Sequence, residues 1–369
     1  VTPRRQRQMC IRDRVLVLEA SDSPGGLAAQ REFHPGFHVS VAHSTSHFSK
    51  RISSDLQLNS HGLDVSAPPL TTIGMSTQSG HVVLGSESVS GVSSADQQAF
   101  TNYNRLMRRF GDALAPFWLK TIPRIGHNSL AELMTFGHMG LNVRRMGKKD
   151  MQEFLRIISL PARDLMDEFF DSDVLKAALA WDGLIGAKMA PRSPNSAVLA
   201  MLYRLSGETR GAHVLPEGGM RRLIDALCAS ATAAGAEIRC SAPVDRISVE
   251  GNADGQVATG VRLADGELIE ADRIVSSADP RTTFLHLVGV RHLDIGFTNR
   301  IRRLRSSGYV AKLHLALEGT PEFTGLDEPM SRMIMAPDLD ALEFSFDDAK
   351  YGQCPQKPVL EVVIPSLRD

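Results

Sequence analysis

An apolar run that ends in one acidic residue and a Pro-Gly-Gly turn constrains this chain more than any other feature. Residues 15–18 are all aliphatic, Glu19 follows them, and Pro24, Gly25 and Gly26 come shortly after. Continuous apolar content is typical of a strand buried on both faces of a parallel sheet. Ligands bind at the carboxyl ends of such strands, where the Glu19 carboxylate can accept hydrogen bonds from both hydroxyls of a ribose. The pattern predicts the second-strand half of a dinucleotide site.

The first half of such a site is not found where it is expected. A dinucleotide fold places a glycine-rich phosphate loop about 20 residues before the ribose acid. Residues 1–14 contain no glycine and are rich in arginine. They can be a solvated basic tail, an Arg-rich transit peptide or sequence foreign to the fold, and we favour the third interpretation. We therefore expect residues 1–14 to be non-native, with the first strand and the phosphate loop missing.

Composition narrows the class of protein. The chain has 369 residues, of which 43% are hydrophobic, so two domains are expected. A net charge of -1 gives no electrostatic reason to expect a nucleic-acid partner. The four cysteines are scattered, which argues against a disulfide-stapled fold or a zinc knuckle and favours a reducing compartment, the cytoplasm. No apolar run reaches the roughly 18–20 residues that span a bilayer.

Four histidines lie in the loop that follows the glycine turn. They are His34, His38, His43 and His47. One hypothesis is a metal site, but no cysteine or acidic residue joins them at the spacing of metal ligands. A polar loop that lines the cofactor cleft is the favoured interpretation, so we expect no metal.

Residues 93–203 are predicted to be helical. Apolar residues recur there at helical spacing, as in Phe100, Tyr103, Leu106, Met107 and Phe110. The many methionines of this segment indicate either ordinary helical core, which we favour, or a plastic cavity for an apolar substrate. Arg144, Arg145, Lys148 and Lys149 form a basic cluster beside apolar residues. A solvated face is the favoured interpretation of this cluster, and contact with anionic lipid is the alternative.

Strand and turn signals return after Gly211. A helix begins at Met220 and ends at Gly235, a strand follows at 237–240, and residues 244–249, 257–263 and 267–269 form an antiparallel meander. Residues 273–280 and 309–317 are predicted as further strands, with His314 on a sheet face. The nucleotide-binding core is thus split, with the helical block inserted into it. We assign residues 15–60 and 212–290 to it, and 61–211 and 291–369 to a substrate domain.

Four motifs together resemble those of the phytoene-desaturase-like FAD oxidoreductases, relatives of the amine-oxidase flavoproteins. They are Leu-Glu-Ala at 18–20 with Pro-Gly-Gly at 24–26, Leu-Pro-Glu-Gly-Gly-Met at 215–220, Gly-Ala-Glu-Ile at 235–238 before Val244, and Val-Ser-Ser-Ala-Asp-Pro at 275–280. Within this family the chain most resembles the subgroup called pyridine nucleotide-disulfide oxidoreductase domain-containing protein 2. Residues 182–187, 193–194 and 361–366 fit that subgroup. The resemblance covers residues 15–369.

The resemblance implies an α/β fold, with a Rossmann-like doubly wound FAD-binding sheet, an antiparallel β-meander and an inserted, largely helical (α+β) substrate domain. It implies that Glu19 binds the adenosine ribose and that Gly25 and Gly26 approach the pyrophosphate and the ribityl chain. It also implies that Val244 contacts adenine through its main chain and that Ser277 and Ala278 line the same pocket. A plain strand residue is the open alternative for Val244.

The function that the resemblance implies is FAD-dependent hydride removal from an apolar small molecule in the cleft between the domains. The motifs assign no catalytic base, and neither His213 nor His314 is chosen as a proton carrier. Two alternatives stay open. One is a flavin-bound scaffold with a membrane or respiratory partner, because animal members of the subgroup are mitochondrial. The other is a carotenoid desaturase. We expect a chain truncated at both ends, inactive and unable to retain FAD alone. The sequence does not indicate the oligomeric state.

Overall fold

The structure combines helices with mixed sheets, as predicted for an α/β chain. This computed structural model describes residues 14–46, 48–64, 68–77, 80–118, 120, 129–194, 197–252, 255–306, 308–326 and 331–367. The strands are β1 (Leu16–Leu18), β2 (Arg31–His34), β3 (Phe37–Val39), β4 (Thr71–Gly74), β5 (Val82–Leu84), β6 (Val89–Ser90), β7 (Glu237–Arg239), β8 (Val244–Asn252), β9 (Gly255–Leu263), β10 (Leu268–Glu270), β11 (Ser331–Met335) and β12 (Leu360–Val362). The helices are α1 (Lys50–Asp55), α2 (Ser94–Leu114), α3 (Leu130–Arg145), α4 (Lys148–Ile157), α5 (Ala162–Phe169), α6 (Asp173–Leu184), α7 (Ala197–Leu205), α8 (Gly219–Ala233), a π-helix (Thr282–Gly289), α9 (Ile295–Arg302) and α10 (Leu339–Lys350).

The strand before Glu19 forms and pairs in parallel, as predicted. Strand β1 lies beside β7 with Val17 opposite Ile238. The prediction that both faces of this strand are buried is wrong, because Val15 and Val17 are exposed. The physical reason is that, within the described ranges, β1 has only β7 as a neighbour, in a two-stranded sheet. One face and one edge of β1 therefore lack a covering layer there.

The predicted meander is confirmed, but the strand predicted after it is not. Strands β8, β9 and β10 pair antiparallel in the order β10-β9-β8. Residues 273–279 have no regular secondary structure and belong to no strand of the described sheets, and Val275 is 95% exposed. The segment has the apolar content of a strand, but a strand also needs a neighbour that accepts its hydrogen bonds.

Residues 309–317 show the same difference between pattern and pairing. Leu313, Leu315 and Leu317 alternate along this segment and are exposed, while His314 is half-buried against the ring of Phe33, with 5.8 Å between ring centroids. No described sheet includes the segment as a strand. The prediction of a strand is therefore wrong here, although the alternation of faces is real.

A mixed sheet and the helices of the predicted helical block enclose the main core. The order is β12-β11-β4-β5-β6, with β11 and β4 parallel and the other pairs antiparallel. Helices α2, α5, α6 and α7 bury apolar side chains in one cluster that includes Ile334 of β11. Met107, Met166 and Met201 are buried in this cluster, which favours ordinary core over a substrate cavity for these methionines.

The start of α6 is fixed by a buried carboxylate. The side chain of Asp96 accepts hydrogen bonds from the backbone N–H groups of Asp171 (2.9 Å) and Ser172 (3.0 Å). Ser172 in turn caps α6, since its Oγ accepts from the N–H of Leu175 at 3.4 Å. These bonds satisfy backbone donors that a helix N-terminus leaves unpaired. They position α6, which carries Trp181 and Asp182.

We expect Gly183→Ala to destabilise the protein. An added Cβ would lie 2.6 Å from the carbonyl oxygen of Ala197 and 2.7 Å from Cγ of Met201, where α6 and α7 cross. Overpacking of this kind costs about 1–3 kcal/mol. The gain in helix propensity is at most about 1 kcal/mol. Urea unfolding measures the difference.

Gly137→Ala on α3 is the matched control for this experiment. No described atom lies within 4 Å of the Cβ that alanine would add there, so the substitution should stabilise the helix by up to about 1 kcal/mol. Equal effects of the two substitutions on the free energy of unfolding would contradict the close packing of α6 on α7.

Candidate functional site

The Glu19 carboxylate lies at the carboxyl end of β1, and backbone bonds hold this residue in place. Its N–H donates to the carbonyl of Arg239 (3.0 Å), and its carbonyl accepts from the N–H of Ala242 (2.9 Å). One carboxylate oxygen accepts from the N–H of Ser21 at 2.8 Å. A carboxylate has about four lone-pair positions, so one such bond leaves acceptor capacity for two hydroxyls. Glu19 is half-buried and can meet a ligand at the sheet edge.

The two glycines after Glu19 are required for different reasons. Gly25 has a φ of 126° and Gly26 a φ of 55°, both in the region that glycine adopts without strain. An added Cβ on Gly25 would lie 3.1 Å from Ile224 Cγ1, so Gly25 permits the turn to pack on α8. An added Cβ on Gly26 would meet no described atom within 4 Å. Only Gly26 of the pair thus borders open space among the described residues.

Val244 is brought near Glu19, and residues 277–278 are tied to a different element. Val244 begins β8, two residues after Ala242, whose N–H bonds Glu19. Ser277 and Ala278 are exposed, and the carbonyl of Ala278 accepts from the hydroxyl of Thr283 (3.1 Å) in the π-helix. The described hydrogen bonds therefore connect Glu19 to the start of β8. The adenine-pocket role of Val244, Ser277 and Ala278 stays a prediction.

A cleft of about 710 Å³ lies beside the glycine turn. It is lined by the turn itself, by the hairpin of β2 and β3 and by α8; the lining residues are Ser21, Asp22, Ser23, Pro24, Ala29, Gln30, Arg31, Glu32, His38, Arg221, Ile224 and Asp225. Glu19, Gly25 and Gly26 adjoin this lining in sequence without belonging to it. The cleft places open space next to the turn that the sequence singled out.

A buried charge cluster that the sequence did not predict lies at β11. Arg332 is 1% exposed, and its Nη2 donates to Asp182 Oδ1 at 2.6 Å and to Glu361 Oε2 at 2.9 Å. The indole N–H of Trp181 donates to the same oxygen of Glu361 at 2.5 Å. Arg204 of α7 adds a second guanidinium, with Nη1 at 3.2 Å from Asp182 Oδ1. The cluster joins β11, β12, α6 and α7.

The charges of this cluster keep one another ionised. Burial by itself raises the pKa of Asp182, but Arg332, a hydrogen bond from His213 and the charge of Arg204 outweigh it and hold that pKa well below its usual range. Burial also acts against the charged form of Arg332, yet Asp182 and Glu361 raise the pKa of the guanidinium. The pKa of Glu361 is lowered because Arg332 and Trp181 overcome its burial. All three groups are therefore charged at neutral pH.

His213 extends the cluster towards Ser44 in an arrangement that resembles a catalytic triad. Its Nδ1 is 3.0 Å from Ser44 Oγ, and its Nε2 is 3.2 Å from Nη1 of Arg204 and 3.8 Å from Asp182 Oδ1. The ring nitrogen that faces away from Ser44 is closer to the Arg204 guanidinium than to the Asp182 carboxylate. A catalytic triad instead places a carboxylate within hydrogen-bond distance of that nitrogen, so the geometry does not match a triad.

A lysine–histidine pair is formed by Lys312 and by His43, the residue before Ser44. The Nζ of Lys312 is 2.7 Å from His43 Nδ1 and 3.3 Å from the carbonyl of Ser40, and it also contacts the carbonyl of Val41. Burial, followed by the charge of Lys312, lowers the pKa of His43 to about 4. Burial of the ammonium group lowers the pKa of Lys312, against the attraction of Glu361. His43 is thus neutral at pH 7, with Nδ1 accepting from Lys312.

The sequence indicated one member of this pair and missed the other. His43 is among the loop histidines, whereas Lys312 was overlooked, although it is a lone cation in an alternating apolar segment. His34, another loop histidine, packs edge-on against Phe37 with 5.5 Å between the ring centroids, and His47 lies outside the described residues. Among the described residues, no three histidine, cysteine or acidic side chains come together as a metal site.

The family of the chain follows from sequence comparison. Residues 101–365 match the family described as flavin containing amine oxidoreductase. The chain belongs to this family, which confirms the resemblance to flavoproteins predicted from the motifs and FAD as the cofactor class.

The chain is also similar to particular proteins. The chain is 31% identical over 388 residues to the pyridine nucleotide-disulfide oxidoreductase domain-containing protein 2 of Mus musculus, an alignment that covers 96% of this chain and 66% of the mouse protein. It is 36% identical over 124 residues to hydroxyneurosporene desaturase of Cereibacter sphaeroides, covering 34% of this chain and 24% of that protein. An oxidoreductase from Methanosarcina mazei has a similar structure, with a TM-score of 0.48 and 15% identity over 82% of this chain and 62% of that one.

Removal of the buried guanidinium should be costly. We expect Arg332→Ala to lower the free energy of unfolding by about 3–5 kcal/mol, because Glu361 would be left as a buried charge without a cation and Asp182 would keep only Arg204. Trp181 emission should change at the same time, since its indole N–H is bonded to Glu361. Arg239→Ala is the control: it breaks an exposed pair with Glu267 at 2.6 Å and should cost at most about 1 kcal/mol. Similar losses for both variants would refute the structural role of the cluster.

Acid should destabilise the protein in part through His43. The unfolded chain protonates this histidine near pH 6.5 and the folded chain only near pH 4, so the unfolded state binds more protons within this window. Stability therefore falls as the pH falls from 6.5 to 4, by up to about 3 kcal/mol from this group.

His43→Gln keeps an acceptor for Lys312 but removes this titration. The loss of unfolding free energy between pH 6.5 and 4 should become smaller in this variant, as measured by urea unfolding at each pH. His38→Gln, at an exposed histidine of β3, should retain the full pH dependence. An unchanged pH profile in His43→Gln would show that His43 titrates normally in the folded protein.

Proposed function

We propose that this chain forms the FAD-binding and substrate-facing parts of an oxidoreductase that removes hydride from an apolar small molecule. The observation that carries the proposal is the oriented Glu19 carboxylate at the carboxyl end of β1, followed by the glycine turn. Family membership supports the same cofactor. The chain spans 66% of the length of its mouse relative, so the activity of the whole protein is part of the proposal.

The residues present fit the adenosine end of FAD. Glu19 retains acceptor capacity for the two ribose hydroxyls, and the open side of Gly26 permits close approach of a phosphate-bearing chain. Val244, Ser277 and Ala278 would line the adenine, and the exposure of the last two leaves them accessible to a ligand.

A Rossmann-like, doubly wound arrangement is the finer fold that we propose. Its support is the parallel pairing of β1 with β7 and the position of α8, which leads directly into β7. Parallel neighbours connected through a helix are the building unit of such folds.

A reducing compartment is also part of the proposal. The free thiols of Cys228, Cys240 and Cys354 support it.

Lys312 and His43 are the groups that we propose to handle protons. Bound FAD supplies the hydride acceptor, which the side chains of the protein cannot provide. Lys312 would first lose the proton that it donates to its acceptors, a loss that the lowered pKa favours, and the neutral amine would then accept a proton from a substrate N–H or O–H group at Nζ. His43 Nδ1 and the carbonyls of Ser40 and Val41 hold Nζ in place.

A polyene desaturase is the second candidate. Its support is the similarity to hydroxyneurosporene desaturase and to the 4,4'-diaponeurosporene oxygenase of Staphylococcus aureus, each over about a third of the chain. Desaturation also removes hydride from an apolar substrate, so the two candidates differ in the bond that is oxidised. A long-chain amine and a polyene therefore discriminate between them.

We expect Glu19→Ala to weaken FAD binding by about 100-fold or more, because two hydrogen bonds to a charged group are lost at about 1.5–3 kcal/mol each. Titration of the whole protein that contains this chain with FAD, followed by flavin fluorescence, gives the dissociation constants. Glu270→Ala is the control, since it removes an exposed carboxylate at the end of another strand. A Glu19→Ala variant that binds FAD as tightly as the parent would overturn the cofactor assignment.

Anaerobic mixing then tests the reaction. The flavin absorbance of the loaded protein should bleach with either the amine or the polyene, and Lys312→Met should slow bleaching by the amine without changing FAD affinity. A flavin that binds but is reduced by neither substrate class would instead favour the scaffold alternative.

A further inference from the structure

Helix α3 exposes an apolar stripe to solvent. Leu130 is 75% exposed and Met134 55%, and Leu133 and Leu141 are exposed as well. Their three- and four-residue spacing places these side chains on one face of the helix. A surface helix of a globular protein normally carries polar residues there. The apolar stripe of α3 is thus on the side that should be polar.

The opposite face of α3 is the one that packs on the protein. Val143 contacts the main core cluster, and Met146, the C-cap residue, is buried within it. This contact fixes which side of the helix points away from the molecule. The outward orientation of the stripe therefore follows from packing rather than from a detached helix.

Four exposed cations follow the apolar stripe. Arg144 and Arg145 lie in the last turn of α3, and Lys148 and Lys149 begin α4. The nearest acidic residue in sequence, Asp150, is already paired with Arg109. The surface formed by the stripe and these cations is therefore apolar over most of the helix and positive at its carboxyl end.

We propose that this surface docks on an anionic lipid bilayer. Its chemistry matches an in-plane amphipathic helix, with leucine and methionine entering the acyl boundary and basic residues contacting anionic headgroups. A protein partner is less well matched, because binding hot spots are enriched in Trp, Tyr and Arg at the centre of the patch, where α3 offers aliphatic side chains.

The geometry indicates a helix that lies on the membrane. At about 1.5 Å per residue, α3 is about 24 Å long, shorter than the hydrocarbon core of a bilayer. In the described parts of the chain, no helix combines the length and apolarity needed to cross one. The membrane proposal does not depend on flavin binding. It can therefore fail while the proposed function holds, and the proposed function can fail while the membrane proposal holds.

Vesicle sedimentation tests the proposal with the full chain. Wild-type protein should bind vesicles of phosphatidylcholine with phosphatidylglycerol more strongly than phosphatidylcholine alone, and less strongly at high salt. Leu133→Ser with Met134→Ser, and separately Lys148→Gln with Lys149→Gln, should each lower binding to the anionic vesicles by roughly tenfold or more. All four positions are exposed, and thermal unfolding checks that the variants remain folded.

Two matched controls remove similar groups elsewhere. Leu268→Ser replaces an exposed leucine of β10, and Arg302→Gln with Arg303→Gln removes an exposed basic pair at the end of α9; both should bind vesicles like the wild type. Absence of binding to anionic vesicles, or equal losses in controls and α3 variants, would overturn the proposal. Light scattering without lipid gives a further test. If the wild type is an oligomer and the Leu133→Ser, Met134→Ser variant is a monomer, the proposal is also overturned, because the stripe would then be a protein interface.

Discussion

The buried guanidinium of Arg332 is the constraint on which the rest of the structure depends. A charge in this position costs several kcal/mol unless partners compensate it, and Asp182 and Glu361 do so from 150 and 29 residues away in the chain. Within the described residues, Nε and Nη1 of Arg332 remain buried without a hydrogen-bond partner. Well-packed apolar residues can replace such a cluster at little cost in stability. Its consequence is therefore positional: α6, β11 and β12 meet where their charged side chains pair.

The same cluster positions the segments that connect the helical block to the cofactor side. His213, which is bonded to Arg204, also accepts from the N–H of Leu70 through its carbonyl at 2.7 Å. The next residue, Val214, pairs with Thr45 in an isolated bridge. His43 lies two residues before Thr45, so its partnership with Lys312 is set by the same framework. Charge pairing in the helical block and the His43–Lys312 pair near the glycine turn are thus connected through the backbone hydrogen bonds of residues 45, 70, 213 and 214.

Local patterns predicted the elements whose determinants are local. The α8 stripe of Met220 and Leu223 is buried, and Gly235 ends the helix at a φ of 89°, because helix periodicity and a positive-φ stop lie within one segment. The pairs that make the candidate site are different. Arg332 is visible in the sequence as one charge inside the apolar strand β11, but nothing local identifies Asp182 as its partner. For the same reason residues 273–280 satisfied a strand pattern without forming one, since pairing depends on a neighbour that the segment does not contain.

Helices α3 and α8 show where periodicity stops being informative. Both carry apolar residues at helical spacing, yet Met220 and Leu223 face the protein whereas Leu133 and Met134 face away from it. The free energy of burial depends on the area removed from water and not on what removes it. A stripe therefore specifies that something apolar should cover it without specifying protein or lipid. The two helices differ in where their cations lie: Arg221 and Arg222 are at the start of α8, whereas the cations of α3 follow its stripe. For α3 this arrangement, rather than the periodicity, supports the proposed contact with lipid.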